Sequence, residues 1–115
     1  MEDPFPPEFE TIFFGFNLAR IDPRERSTVA LDANVLRRHP GLRVVIEGHC
    51  DDRGSERYNF GLGLRRANAV ARAIEAAGIA SRRLQIVSLG KDAPLDIGHR
   101  RSDRAINRSV VIREP

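Results

Sequence analysis

The densest run of chemically able side chains lies between glycines: Glu47-Gly48-His49-Cys50-Asp51-Asp52-Arg53-Gly54-Ser55, with Arg65 and Arg66 about three helical turns further on. His49 and Cys50 have the types of a base and a nucleophile, but sequence neighbours on extended backbone point to opposite faces. Cys50 therefore reads as a small buried thiol at a strand end. Asp51 and Asp52 are adjacent, whereas a general acid/base pair must face across a substrate. Asp51 ahead of a helix fits a cap of the loop or the helix, and Asp52 a capping or solvated acid. The histidines His39, His49 and His99 fall in three separate loops, which gives no metal-ligand spacing. Gly61-Leu62-Gly63 lacks the third glycine of a dinucleotide fingerprint and lies inside a helical stretch instead of ahead of one. No P-loop, HExxH or GxSxG occurs. The expectation is a protein without enzymatic activity or cofactor. Helical neighbours point about 100° apart, so only one of Arg65 and Arg66 can enter a groove.

The elements that must position these residues follow from pattern. Thr11–Phe16 is a short β-branched and aromatic run, expected as a buried strand. Asp22-Pro23-Arg24-Glu25 carries an N-cap, a proline at the first helical position and a Glu three residues after the cap. The helix it opens presents Thr28, Leu31, Val35 and Leu36 as its apolar stripe and stops before His39-Pro40-Gly41. Leu42–Ile46 is nearly unbroken apolar, hence a central strand covered on both faces, emptying into the polar loop 47–55. A second helix is expected from about Glu56 to Ala77, with Phe60, Leu64, Ala67, Val70, Ala71 and Ile74 at helical spacing and Tyr58 in the core beside Phe60. Gly78 ends it. Gln85–Leu89 is a third strand, Arg101–Ile106 a short helix and Ser109–Ile112 a last strand. The order β-α-β-α-β-(α)-β predicts an α/β (α+β) sandwich with helices packed on one mixed sheet.

A chain of 115 residues is one domain by length. Residues 1–10, with three prolines and alternating acids, read as an N-terminal linker or lightly docked arm, leaving 11–115 as the domain. No apolar run is long enough to span a membrane, and Met1–Glu10 has no apolar core of an export signal. The single Cys50 excludes an internal disulfide. Lys91 is the only lysine in a chain of net charge +3, so its cations are nearly all arginine. Guanidinium suits phosphate and carboxylate recognition, but the arginines alternate with acids along the whole chain instead of forming a block.

One stretch is specific. Ile46 to Val70, with Gly48-His49, Asp51, a glycine, Tyr58-Asn59, Arg65-Arg66-Ala67 and Ala69-Val70, resembles the signature of the OmpA-like C-terminal domain family, nearest its peptidoglycan-associated lipoprotein branch. Val87-Ser88-Leu89-Gly90, Pro94 and Asn107-Arg108 are similar to the family's later landmarks, and Phe14-Gly15-Phe16-Asn17 to its first strand and the ligand-facing turn after it. The resemblance covers about residues 11–113. It implies a periplasmic, outer-membrane-associated domain that holds the diaminopimelate of the peptidoglycan stem peptide non-covalently. It implies Asp51 and Arg66 as the principal ligand residues, with Asn17, Leu62, Asn59 and Arg108 lining the same groove. It further implies Tol-system proteins as partners and an outer-membrane attachment through a segment absent from this chain, where no lipobox cysteine or export signal is found.

The chemistry is coherent. The free end of diaminopimelate carries an ammonium and a carboxylate, which one fixed anion and one fixed guanidinium would match, Arg66 binding bidentately. On this reading alanine at either position abolishes binding and leaves the fold intact. Gly61 and Gly63 would permit close backbone approach by the ligand, though the family does not demand both and Gly61 has no specific account. The sequence departs from the family at three places: Cys50 where Thr is usual, Asn17 where the lipoproteins often have Asp, and Ser109 for the second Arg of Asn-Arg-Arg. A porin or flagellar-stator domain binding the same ligand is the alternative within the family. Outside it stands an Arg-rich nucleic-acid-binding domain, disfavoured by the alternating acids and by strands that lack stacked aromatics; nucleic acid is not an expected partner.

Overall fold

The computed structural model describes residues 6–115. Four strands form one mixed sheet in the order β1-β4-β2-β3: β1 (Ile12–Phe13), β2 (Val44–His49), β3 (Leu84–Gly90) and β4 (Ser109–Arg113). β4 runs antiparallel to both β1 and β2, and β2 runs parallel to β3. Helices α1 (Arg26–Arg38) and α2 (Glu56–Ala76) pack over this sheet, and α3 (Arg101–Asn107) leads into β4. The expected sandwich and element order are therefore present. The core gathers Ile12 and Phe14, Val29 and Leu36 of α1, Val44 and Ile46 of β2, Ala67, Val70 and Ile74 of α2, and Val110 and Ile112 of β4.

Local details differ where tertiary contacts decide. The first strand is only Ile12–Phe13, because the Phe14 N–H goes to the Arg108 carbonyl at 2.8 Å and the chain then turns, Leu18 N–H reaching the Gly15 carbonyl at 3.2 Å. Phe16 is left exposed. Asp22 does act as a cap, its carboxylate accepting the Arg24 N–H at 2.9 Å, but what it opens is a 3₁₀ turn over Pro23–Glu25. The Glu25 carboxylate accepts the N–H of Phe13 at 2.6 Å, tying β1 to the helix start.

The apolar stripe of α1 is rotated from the expected one. Val29, Asp32, Ala33, Val35 and Leu36 face inward, whereas Leu31 is 57% exposed. β2 continues through Glu47 and His49 instead of ending at Ile46, with all six residues buried. Glu47 is tolerated there because the Arg113 guanidinium of neighbouring β4 pairs with it and the His49 ring lies 3.3 Å away.

On α2, Ala67, Val70, Ala71 and Ile74 are buried as expected, but Leu64, Tyr58 and Phe60 are exposed. Phe60 turns its side chain outward although its carbonyl accepts Ser88 Oγ of β3 at 2.7 Å. Gly63 is a packing residue and not a ligand-approach residue: a Cβ on Gly48 would lie 1.8 Å from the Gly63 carbonyl oxygen, and one on Gly63 would lie 2.4 Å from Ser88 Oγ. The two glycines let α2 touch β2 backbone to backbone. Nothing in the structure explains Gly61. α2 ends at Gly78, whose φ of 98° allows its N–H to reach the Glu75 carbonyl and that of Ile79 the Ile74 carbonyl.

Of the arm expected over 1–10, residues 1–5 lie outside the described residues. Phe9 packs against the core, and the Glu10 N–H donates to Asp32 at 2.8 Å.

Candidate functional site

β2 delivers Cys50 and Asp51 to the end of the sheet, and the loop after them is tied down before α2 begins. Ser55 caps α2, its Oγ accepting the Tyr58 N–H at 3.1 Å. Asn59, one turn in, donates through Nδ2 to the carbonyls of Arg53 at 2.6 Å and Ser55 at 3.0 Å. Neither aspartate caps the helix. Asp52 turns away to Arg104, 2.7 Å from its Nε, and to His99.

Between this loop, the first two turns of α2 and the Gly15–Leu18 turn lies a cavity of about 100 Å³. Five of the six expected ligand residues line it: Asn17, Asp51, Asn59, Leu62 and Arg66. Arg108 does not; it stands behind Asp51, donating through Nε to the Phe14 carbonyl at 3.0 Å, and lines a neighbouring cavity of about 410 Å³. Asn17 reaches the wall through an unusual backbone, φ 60°. Its side-chain oxygen accepts the Tyr58 hydroxyl, which fixes the turn against α2. Leu62, 4% exposed, supplies apolar floor.

Asp51 is the anion of the site. Its side chain is 5% exposed, and it accepts from Arg53 Nη2 at 2.6 Å, Arg53 Nε at 3.2 Å and the Arg53 N–H at 3.1 Å. Arg108 Nη1 lies 3.5 Å away, close enough for charge attraction but long for a hydrogen bond. Burial alone would raise this carboxyl, but the Arg53 and Arg108 interactions outweigh it and hold Asp51 below its ordinary value. The Arg53 guanidinium also stacks over the exposed Phe16 ring, 3.9 Å from its centroid. Phe16, Arg53 and Tyr58 thus form the mouth of the cavity. Sequence reading missed all three, and the Asp51–Arg53 spacing, with an N–H accepted two residues on, was the available signal.

Arg66 is placed differently from expectation. It is 1% exposed, and its fork is taken up by backbone. Nε donates to the Leu18 carbonyl at 2.8 Å, Nη1 to the His49 carbonyl at 3.0 Å and Nη2 to the Gly15 carbonyl at 3.1 Å, with Cys50 Sγ 3.5 Å from Nη1. The Phe14 ring lies 5.4 Å from its guanidinium carbon. Burial pushes the guanidinium down from its ordinary value, while Cys50 and Asp51 act the other way. One side chain therefore stitches the Gly15–Leu18 turn to β2, and one Nη2 proton is left over after these bonds. Alanine at 66 would leave three carbonyls without their donor, so a cost to the fold is expected of it.

Cys50 is 2% exposed and its thiol donates to the Asn59 carbonyl at 3.2 Å, the bond that a Thr hydroxyl would make more strongly. Burial pushes the thiol above its ordinary value, so it stays protonated. Chemically, the cavity offers one well-buried carboxylate, a fixed cation and apolar floor, suited to an ammonium and a carboxylate carried on a short chain.

Comparison with known proteins agrees with this architecture. The OmpA family model matches residues 13–108. The peptidoglycan-associated lipoprotein of Legionella pneumophila is 38% identical over 104 residues, 90% of this chain and 59% of that protein. That of Pseudomonas aeruginosa is 36% identical over 104 residues, 90% of this chain and 61% of that protein. The chain thus spans about six-tenths of the length of these relatives. The crystal structure of the peptidoglycan-associated lipoprotein from Burkholderia pseudomallei superposes with a TM-score of 0.84 at 32% identity, covering 89% of this chain and 86% of that one. The C-terminal domain of Helicobacter pylori MotB shares the fold, with a TM-score of 0.81 at 19% identity over 91% of this chain and 83% of that one. By the family match and these relatives, the chain belongs to the OmpA family.

Proposed function

We propose that this chain binds peptidoglycan non-covalently in the periplasm, holding the diaminopimelate of the stem peptide, and so contributes to anchoring the outer membrane to the cell wall. The observation that carries the reading is the cavity itself, which sets the buried Asp51 carboxylate and the Arg66 guanidinium on the walls of one small space floored by Leu62. Asp51 receives the ligand ammonium. The ligand carboxylate is drawn to the positive wall, where Arg66 retains an N–H and Arg108 stands behind Asp51. A charge-assisted hydrogen bond in such a site contributes about 1.5–3 kcal/mol. The names of the lipoprotein relatives point the same way. By the resemblance, Tol-system proteins are the further partners to be sought.

Nucleic-acid binding is the weaker reading because several of the arginines are neutralised by carboxylates. Arg24, Arg53, Arg72, Arg100, Arg104 and Arg113 each pair with a nearby carboxylate. The test is co-sedimentation with purified diaminopimelate-containing sacculi, wild type beside Asp51→Ala. The proposal expects the wild type in the pellet and the folded variant in the supernatant. A folded Asp51→Ala protein that pellets equally would overturn the site, and a wild type that stays in solution would overturn the function.

A further inference from the structure

Away from the cavity, the inner face of α1 carries a carboxylate that the binding site does not use. Asp32 is 1% exposed, among Val29, Ala33, Val35 and Leu36. Its Oδ1 accepts the Glu10 N–H at 2.8 Å, and its Oδ2 is buried with no hydrogen-bond partner. A groove of about 360 Å³ opens beside it between the N-terminal arm and the end of α1. The charged groups lining that groove are Glu8 and Glu10 on the arm and Arg38 and His39 on α1. The core side of α1 is apolar: Ile12, Val44, Val70 and Ile74 gather there. An ionised carboxylate with one neutral donor, an orphaned oxygen and an acidic arm lying over it is poorly stabilised; a protonated one also leaves its hydroxyl without an acceptor, but carries no buried charge.

We propose that Asp32 and the arm form a pH-sensitive latch, in which residues 6–10 stay docked on α1 while Asp32 is protonated and release as it ionises. Release lets water reach the carboxylate and separates it from Glu10. Burial, and then the Glu10 charge, raise Asp32 from 3.8 to about 7, against the lowering effect of the Glu10 N–H. The sign follows from linkage. The docked state holds the proton more tightly than the undocked one, so docking is strongest below the ordinary carboxylate range and weakens as pH rises toward 7. Between those limits the undocking equilibrium grows roughly tenfold per pH unit and then levels off. The arm is the route by which any preceding segment joins the domain, so the latch would set how freely the domain moves relative to it.

The test is hydrogen exchange at the Glu10 amide, read by NMR as a protection factor between pH 5 and 8, in the wild type and in Asp32→Asn, which keeps an acceptor and removes the charge. The latch requires protection in the wild type to fall steeply up to about pH 7 and to be flat in the variant. Equal slopes in both proteins, or no slope in the wild type, overturn it. Should the variant fail to fold, the side-chain carboxyl carbon of Asp32 in the wild type decides the matter. A midpoint near 7 with wild-type Glu10 amide protection falling over the same pH range supports the latch; a midpoint in the ordinary carboxylate range, or protection that does not fall with it, refutes it.

Discussion

Replacing Arg66 by alanine is the perturbation whose outcome the structure fixes most tightly. The guanidinium holds three backbone carbonyls, those of Leu18, His49 and Gly15. Each carbonyl left without a donor costs about 1–3 kcal/mol, the upper end applying where water cannot enter. The His49 carbonyl is in the buried bond, while those to Leu18 and Gly15 are only partly buried and can be rehydrated. Taking the low end for all three, or raising the buried one alone to the high end, gives about 3–5 kcal/mol, a large share of the roughly 5–15 kcal/mol that stabilises a domain. Urea unfolding followed by circular dichroism would read this directly. With a denaturant slope of about 1.5 kcal/mol/M, the midpoint should fall by about 2–3 M. Arg66→Lys, with one point charge for a three-way fork, should fall between the two proteins. A midpoint for Arg66→Ala within about 0.5 M of wild type would refute the idea that this arginine holds the turn to β2. Lost ligand binding in Arg66→Ala therefore reports on folding as much as on recognition.

Gly48→Ala should be among the most damaging small substitutions, because its new Cβ would lie 1.8 Å from the Gly63 carbonyl oxygen and only backbone can move. Overpacking of this kind costs about 1–3 kcal/mol or more, visible as a melting temperature lower by roughly 10 °C or more; an unchanged value would contradict the α2–β2 contact. Cys50 should resist a thiol reagent at pH 8 in the native protein and react at once in denaturant, given 2% exposure and a raised thiol. Fast native labelling would mean that the loop opens readily. Asp51 is held below its ordinary value, so ligand affinity should be constant from pH 7 to pH 5 and decline only as pH falls through the depressed value. A midpoint of lost affinity near pH 6 would point to another group.

Much of this architecture was written in local pattern. The apolar run Leu42–Ile46, the Asp22 cap, the helical spacing after residue 56 and the Gly78 stop are short-range signals, and the strands and helices follow in the expected order. The family signature led to Asn17, Asp51, Asn59, Leu62 and Arg66, which the fold brings into one cavity. What stayed hidden depends on partners remote in sequence. Arg66 bonds backbone carbonyls, which carry no residue identity, so its structural load left no trace in the chain. Leu31, expected on the buried stripe, is exposed, while Asp32 faces inward where the arm offers it the Glu10 N–H, a contact 22 residues away. Glu47 belongs to β2 only because Arg113, far along the chain, meets it across the sheet. Tyr58 and Phe60 look like core by composition, but both side chains are exposed, Phe60 lying on the outward side of α2 while its carbonyl meets β3.

The central claim is that the cavity recognises an ammonium and a carboxylate together, and one titration addresses it. Calorimetry of the domain with a soluble diaminopimelate-containing muropeptide, beside its lysine-containing counterpart, compares ligands that differ at the side-chain carboxylate. The account predicts binding of the first, at least tenfold weaker binding of the second (about 1.4 kcal/mol), and loss of both in Asp51→Ala. Equal affinity for the two muropeptides, or binding that survives Asp51→Ala, would contradict it.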